Sequence, residues 1–241
     1  MSSYKKSLIF CTLLFIFSGC STKDINLEEK ELKKSNFKKI ETKYFDLENQ
    51  YIIFALEAEN QRLFYDAKEA YLKLFEKTNN YEYFVKYLSI ATQLKEYAAV
   101  KEKVLKYSIK NIEEEETILR IYTFSLFKLQ EKEESILNAI KLVSLYKNSV
   151  NYELLGSIYF EDKQYIKAYE SFNNAFTLND SSNTLLTLTN IQFYSLSQKN
   201  EAIKRLEDYI QINEYNFNLS IQLLTFYEEL KAKDKILLFL K

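Results

Sequence analysis

From about residue 47 to its end the sequence repeats one pattern, apolar residues at helical spacing broken by short polar turns, and no proline occurs anywhere in it. The stretch YELLGSIYFEDKQYIKAYESFNNAF, residues 152–176, shows the pattern most fully. Tyr152, Leu155, Gly156 and Tyr159 fall at i, i+3, i+4 and i+7, and Ile166, Tyr169 and Phe172, with Ala168 and Ala175, carry the stripe on after EDKQ. That spacing predicts two amphipathic helices joined by a tight turn. One such hairpin cannot bury its own apolar face, so the unit has to recur. It does. With Ala168 as a marker, steps of about 34 residues reach Ala202 and Ile236 in one direction and Ile136, Val100 and Ala67 in the other. The residue four places after each marker is apolar or aromatic: Tyr71, Val104, Ile140, Phe172, Leu206 and Leu240.

Polar clusters separate the units where proline could have stood: TNN at Thr78–Asn80, YKNS at Tyr146–Ser149, LNDSSN at Leu178–Asn183 and NEYN at Asn213–Asn216. Asn and Asp tolerate the left-handed conformation that ends a helix, and Ser or Asp caps the next one.

Residues 149–182 resemble a tetratricopeptide repeat, whose pattern is Trp-x2-Leu-Gly-x2-Tyr, then Ala-x3-Phe, then Pro. Tyr152 stands at the tryptophan position, Leu155, Gly156 and Tyr159 match directly, and Ala168 and Phe172 match in the second helix. Tyr165 and Ala175 sit where the family has an aromatic and an alanine, and Asp180 replaces the closing proline. The resemblance implies an all-α fold, an α-solenoid of five to six helical hairpins in a right-handed superhelix spanning residues 47–241. Glycine in a helix costs about 0.5–1 kcal/mol relative to alanine, so Gly156 needs a reason. Antiparallel helices whose axes lie about 8–10 Å apart need small residues at the crossing, and Gly156 against Ala168 fits that need.

The same resemblance implies a concave inner face lined by first-helix residues just off the packing stripe. Carried onto this sequence these are Glu153, Ser157, Phe160, Thr187, Ile191 and Tyr194, with Ile52, Leu56, Val85 and Ser89 upstream. The lining is mostly uncharged and partly aromatic, so a protein or peptide is the expected partner. It lacks the Lys, Arg and Asn cluster with which tetratricopeptide cochaperones grip an acidic chain end.

The first twenty residues set the context. Lys5 and Lys6 precede an apolar run from Leu8 to Phe17, then Ser18, Gly19 and Cys20. This is the layout of a secretory signal, too short to span a bilayer, which takes about 20 residues. FSGC resembles the bacterial lipobox, with Phe17 in place of leucine. The resemblance implies residues 1–19 as a signal peptide removed before Cys20, and Cys20 as the lipidated residue. With Cys11 discarded, Cys20 is the mature chain's single cysteine, so no internal disulfide forms. More than one acyl chain on Cys20 would anchor the protein stably. Ser21 after the cysteine implies the outer membrane, facing the periplasm. Residues 20–46 are rich in charge and read as a solvated tether.

Composition narrows the chemistry. The chain is 47% hydrophobic and 16% aromatic with net charge −1, which predicts a folded protein and no nucleic-acid partner. It has no histidine, so His-based triads, the familiar zinc sets and haem ligation are absent, and neither metal nor cofactor is expected. Glu153, Glu161 and Glu170 are the carboxylates that a cell-wall hydrolase would have to use, but general acids need a closed, pKa-raising cleft. The expected function is a lipid-anchored, non-enzymatic interaction scaffold of the bacterial envelope, in envelope, secretion or pilus assembly, with a repeat-containing cell-wall enzyme or its activator as the alternative. At the other end, Ile236–Leu240 is a continuous apolar run. One side of it packs in a helix, and the other is expected to be covered by a partner chain or by further repeats. For the anchor, Cys20→Ser is expected to abolish palmitate labelling and shift the protein out of the membrane fraction; unchanged labelling would contradict it.

Overall fold

The computed structural model describes residues 43–107, 115–213 and 216–240. The signal peptide, Cys20 and the tether up to residue 42 lie outside the described residues. Twelve helices follow in order, with no strand among the described residues: α1 Glu48–Asn60, α2 Phe64–Thr78, α3 Tyr81–Gln93, α4 Tyr97–Lys106, α5 Glu116–Lys128 and α6 Lys132–Leu145, then α7 Ser149–Glu161, α8 Tyr165–Leu178, α9 Ser182–Asn190, α10 Lys199–Ile212, α11 Phe217–Glu229 and α12 Lys233–Phe239. A π turn, Ile191–Ser195, extends α9. The chain divides into two compact units between Glu131 and Lys132.

Every odd-numbered helix ends the same way. One residue takes a left-handed conformation with φ between 57° and 63°: Arg62, Lys95, Gln130, Lys163, Ser197 or Lys231. After α7, Lys163 N–H donates to the Phe160 carbonyl at 3.0 Å and Gln164 N–H to that of Tyr159 at 2.9 Å. This pair of bonds satisfies two carbonyls that a helix end would leave orphaned. The same pair closes the turns at Arg62, Lys95, Gln130 and Lys231. A left-handed residue with a Cβ costs about 1 kcal/mol, and none of the six is glycine, so the bonds and the packing behind them hold the turn. Between units, Asn79 is left-handed as well. Three first helices are capped by asparagine, Asn80, Asn148 and Asn216 accepting from the N–H groups of Glu82, Asn151 and Leu219 at 3.0–3.2 Å, and α9 has the expected serine, Ser181, at its N-cap.

The turns fix the register. The first five of the six left-handed residues that close the odd-numbered helices stand the same distance ahead of a fully buried residue on the following helix, Ala67, Val100, Ser135, Ala168 and Ala202, and the sixth stands that distance ahead of the half-buried Ile236. The third of these corrects the marker expected at Ile136, which is half-buried, while Ile140 is exposed and Ala139 is buried. Serine serves as the small residue because its hydroxyl returns to the Lys132 carbonyl at 2.8 Å. Thr78, Thr92, Thr123 and Thr189 are satisfied likewise, donating to the carbonyl one turn back, whereas the buried Ser220 Oγ has no partner among the described residues.

Gly156 faces the ring of Phe172. A Cβ built at Gly156 would lie 2.8 Å and 2.9 Å from two of its carbons. The residue directly opposite Gly156 is therefore Phe172, and Ala168, fully buried, sits one turn earlier on the same stripe. The equivalent positions elsewhere hold other pairs: Ala55 and Tyr71, Leu88 and Val104, Thr123 and Ala139, Thr189 and Leu206. Side-chain bonds then link helices one period apart. Tyr83 donates to Glu48 at 2.7 Å and Lys68 pairs with Glu96 at 2.7 Å in the N-terminal unit. Arg205 bonds Asn173 at 3.0 Å and Lys235 pairs with Glu207 at 2.8 Å in the C-terminal unit. These are the nearest-neighbour contacts of a repeat array.

At the last helix, Ile236 and Phe239 pack on the C-terminal core, and Leu237, Leu238 and Leu240 are exposed. The Gly156 contact yields a stability prediction. Gly156→Ala has to displace a buried ring and should lower stability by about 1–3 kcal/mol, with Gly156→Leu lower still, read as urea midpoints at unchanged slope. A Leu variant that unfolds like the parent would mean that the ring is not held there.

Candidate functional site

Beside their buried packing positions, the odd-numbered helices of each unit carry residues that stay half-buried or exposed. On α7 these form a stripe of Glu153, Ser157 and Phe160, all half-buried. Ser157 Oγ donates to the Glu153 carbonyl at 2.8 Å, and the Glu153 carboxylate accepts from the Thr184 hydroxyl on α9. The Phe160 ring leans on Tyr165, centroids 5.5 Å apart. The packing stripe of the same hairpin is assembled as the sequence predicts. Leu155, Gly156, Tyr159, Ala168, Phe172 and Ala175 are buried, with Tyr152 and Tyr165 half-buried at its edge.

Helix α9 departs from the expectation. Ser182 opens it as Ser149 opens α7; counted from there, Leu186 and Asn190 are the counterparts of Glu153 and Ser157. Thr187 and Ile191 lie one place further round. Ile191 is only 2% exposed and belongs to the core, so it does not line the stripe. Thr187 is half-buried and returns its hydroxyl to the Asn183 carbonyl at 3.1 Å. A uniform step of 34 residues misplaces both, because α9 starts one residue early.

The π turn restores the phase. It adds one residue to the first helix of this hairpin, nine α-helical plus five in the turn against 13 in each of its counterparts. Tyr194 thereby becomes the counterpart of Phe160. It is 47% exposed, and its ring packs edge-on against Phe193 and Phe226 at 4.9 and 5.8 Å. Phe193 and Phe226 stack at 4.0 Å beneath it. The extra residue carries a cost: Gln192 is buried, and its Oε1 has no hydrogen-bond partner among the described residues. Such turns concentrate at functional sites. The next helix, α11, adds Ile221, 47% exposed, and Thr225, whose hydroxyl donates to the Ile221 carbonyl at 2.8 Å. Periodicity in the sequence could have found Ile221 and Thr225, which continue the rows of Glu153 and Ser157.

In the N-terminal unit, Leu56 is exposed, Ser89 is half-buried, and Ile52 and Val85 pack partly on the core. Phe124, on α5, continues the row of Leu56 and Ser89 and packs edge-on against Tyr97 at 6.0 Å.

Glu161 and Glu170, the other candidate acids, are both exposed. Among the described residues no cluster of His, Cys, Asp or Glu is placed to hold a metal ion, and no helix is long and apolar enough to cross a membrane. The two neighbouring rings of the π turn should behave differently. Phe193→Ala is expected to cost about 3–5 kcal/mol and Tyr194→Ala less than about 1 kcal/mol in denaturant titration; equal costs would mean that Tyr194 is core.

No family model and no curated protein matches the chain. Solved structures do. A tetratricopeptide repeat protein from Parabacteroides merdae ATCC 43184 superposes with a TM-score of 0.60 at 15% identity, covering 80% of this chain and 77% of its own. MamA from Desulfovibrio magneticus RS-1 gives 0.58 at 17% identity, covering 69% and 95%. PilW, described as a widely conserved type IV pilus biogenesis factor, gives 0.58 at 12% identity, covering 81% and 91%. At these identities the likeness speaks for the fold, and it agrees with the hairpins, turns and buried small residues above: the chain has the all-α tetratricopeptide-repeat fold.

Proposed function

We propose that this protein is a non-enzymatic interaction scaffold of the bacterial cell envelope. It is held to a membrane, the outer one facing the periplasm, by lipid on Cys20, and it takes a protein or peptide on the inner stripe of its first helices. The observation that carries this reading is the stripe itself. Leu186 and Tyr194, on α9 and its π turn, and Ile221, on the next first helix α11, are half-buried or exposed on backbones fixed by their own hairpins. Apolar side chains on a rigid, repeated surface are what a protein partner needs for affinity without ordering cost. The carboxylates on these helices are engaged with a neighbour, as Glu153 is with Thr184, or open to solvent, as Glu161 is. Neither setting is the closed, water-excluding cleft that a general acid needs.

The likeness to PilW favours a role in assembling an envelope structure such as a type IV pilus; that reading rests on shared fold and on the anchor expected at Cys20. Photo-crosslinking in cells tests the proposal. A photoreactive phenylalanine at Tyr194 or Ile221 should give a discrete adduct with an envelope protein, and the same probe at Glu170, exposed on α8, should not. The same adducts from all three positions, or none from the inner pair, would overturn it.

A further inference from the structure

The signs of charge are sorted between the two kinds of helix in the C-terminal unit. Helices α7, α9 and α11, with the π turn, contain no lysine and no arginine; their charged residues are Glu153, Glu161, Glu228 and Glu229. The basic residues lie on the partner helices and in the turns, and several are engaged there. Arg205 bonds Asn173 and Tyr169, Lys235 pairs with Glu207, and Lys167 and Lys199 lie over the rings of Tyr159 and Phe193 at 5.3 and 5.1 Å. Lys163 and Lys231 belong to the left-handed turns that follow α7 and α11, not to the helices. In the N-terminal unit the first-helix cations are Lys86, paired with Glu59 at 3.3 Å, Arg120, paired with Glu116 at 2.9 Å, and Lys128, over the rings of Phe124 and Phe127 at 5.1 and 5.0 Å.

We propose that the stripe of α7, α9 and α11 selects a basic, apolar protein segment. Its aliphatic or aromatic side chains rest on Leu186, Tyr194 and Ile221, and its lysines or arginines face Glu161 and Glu228. The proposal builds on the inner stripe as the binding surface and adds the chemistry of the partner. Apolar contact alone does not discriminate partners. Like charges placed opposite one another are repelled, so first helices that carry carboxylates and no cation turn away acidic segments and steer basic ones. Exposed glutamates also make the interaction sensitive to salt, since charges beyond about 8 Å are screened at physiological ionic strength. Thr225 and Ser157 spend their hydroxyls on their own helices, so charge and shape, rather than a hydroxyl ladder, carry the selection.

The test is fluorescence anisotropy on the full chain in non-ionic detergent with three labelled peptides: Lys-Leu-Lys-Phe-Lys-Leu-Lys, its counterpart with Glu for every Lys, and its counterpart with Ser for every apolar residue. The first should bind at least about tenfold tighter than either of the others, a gap of about 1.4 kcal/mol, and should weaken as salt is raised. Ile221→Ser, with unchanged melting, and the pair Glu161→Gln with Glu228→Gln should each weaken it several-fold, whereas Glu170→Gln on α8 should not. Tighter binding of the acidic peptide, equal binding of all three, no binding, or indifference to the Ile221 and Glu161/Glu228 changes would each overturn the proposal. An acidic peptide whose binding is lost in Ile221→Ser would overturn the charge selection while leaving the inner stripe as the binding surface; crosslinks that avoid Tyr194 and Ile221 would remove the surface itself.

Discussion

The closure of the α7–α8 hairpin by Gly156 against Phe172 is the contact on which the features of the candidate surface depend. At Gly156 there is no room for even a methyl group beside Phe172. Burying a ring against a bare backbone brings the two helix axes together and turns the flanking residues in a fixed direction. Ser157 and Phe160 are aimed off the packing stripe because Gly156 and Tyr159 are aimed into it. The candidate binding surface is thus a by-product of how the hairpin packs, and its rows extend from helix to helix because neighbouring periods pack alike.

The hairpin at residues 149–182 was legible in the sequence because nearly every position that determines its packing carries a diagnostic residue. Tyr152, Leu155, Gly156, Tyr159, Ala168 and Phe172 each have few substitutes at a close crossing. Elsewhere the same geometry is met by less telling residues. Ser135 fills the small position while the adjacent Ile136 looks like the better apolar candidate, so counting by hydrophobicity slips by one. The left-handed turns left no signal, since Arg, Lys, Gln and Ser occupy positions where glycine is the usual mark.

The π turn is the most consequential feature that periodicity could not supply. A hydrogen-bond shift of one residue is invisible in an apolar pattern, yet it decides that Tyr194 is exposed and Phe193 is core, and that Ile191 belongs inside. The unpartnered Gln192 Oε1 and the stacked Phe193–Phe226 pair are the two sides of that arrangement, one unfavourable and one favourable. The sorting of charge, by contrast, is plain in the letters of α7, α9 and α11 once the helices are placed. What was missing from the sequence was the knowledge of which residues share a face.

A double-mutant cycle between Gly156→Ala and Phe172→Leu tests the hairpin closure most directly. If the alanine methyl is resisted by the ring, removing the ring should relieve it. The double variant should then be more stable than the sum of the single losses by at least about 1 kcal/mol, within the range measured for residues in contact. Losses that simply add would contradict the close approach of Gly156 to Phe172, and with it the packing from which the inner stripe was derived.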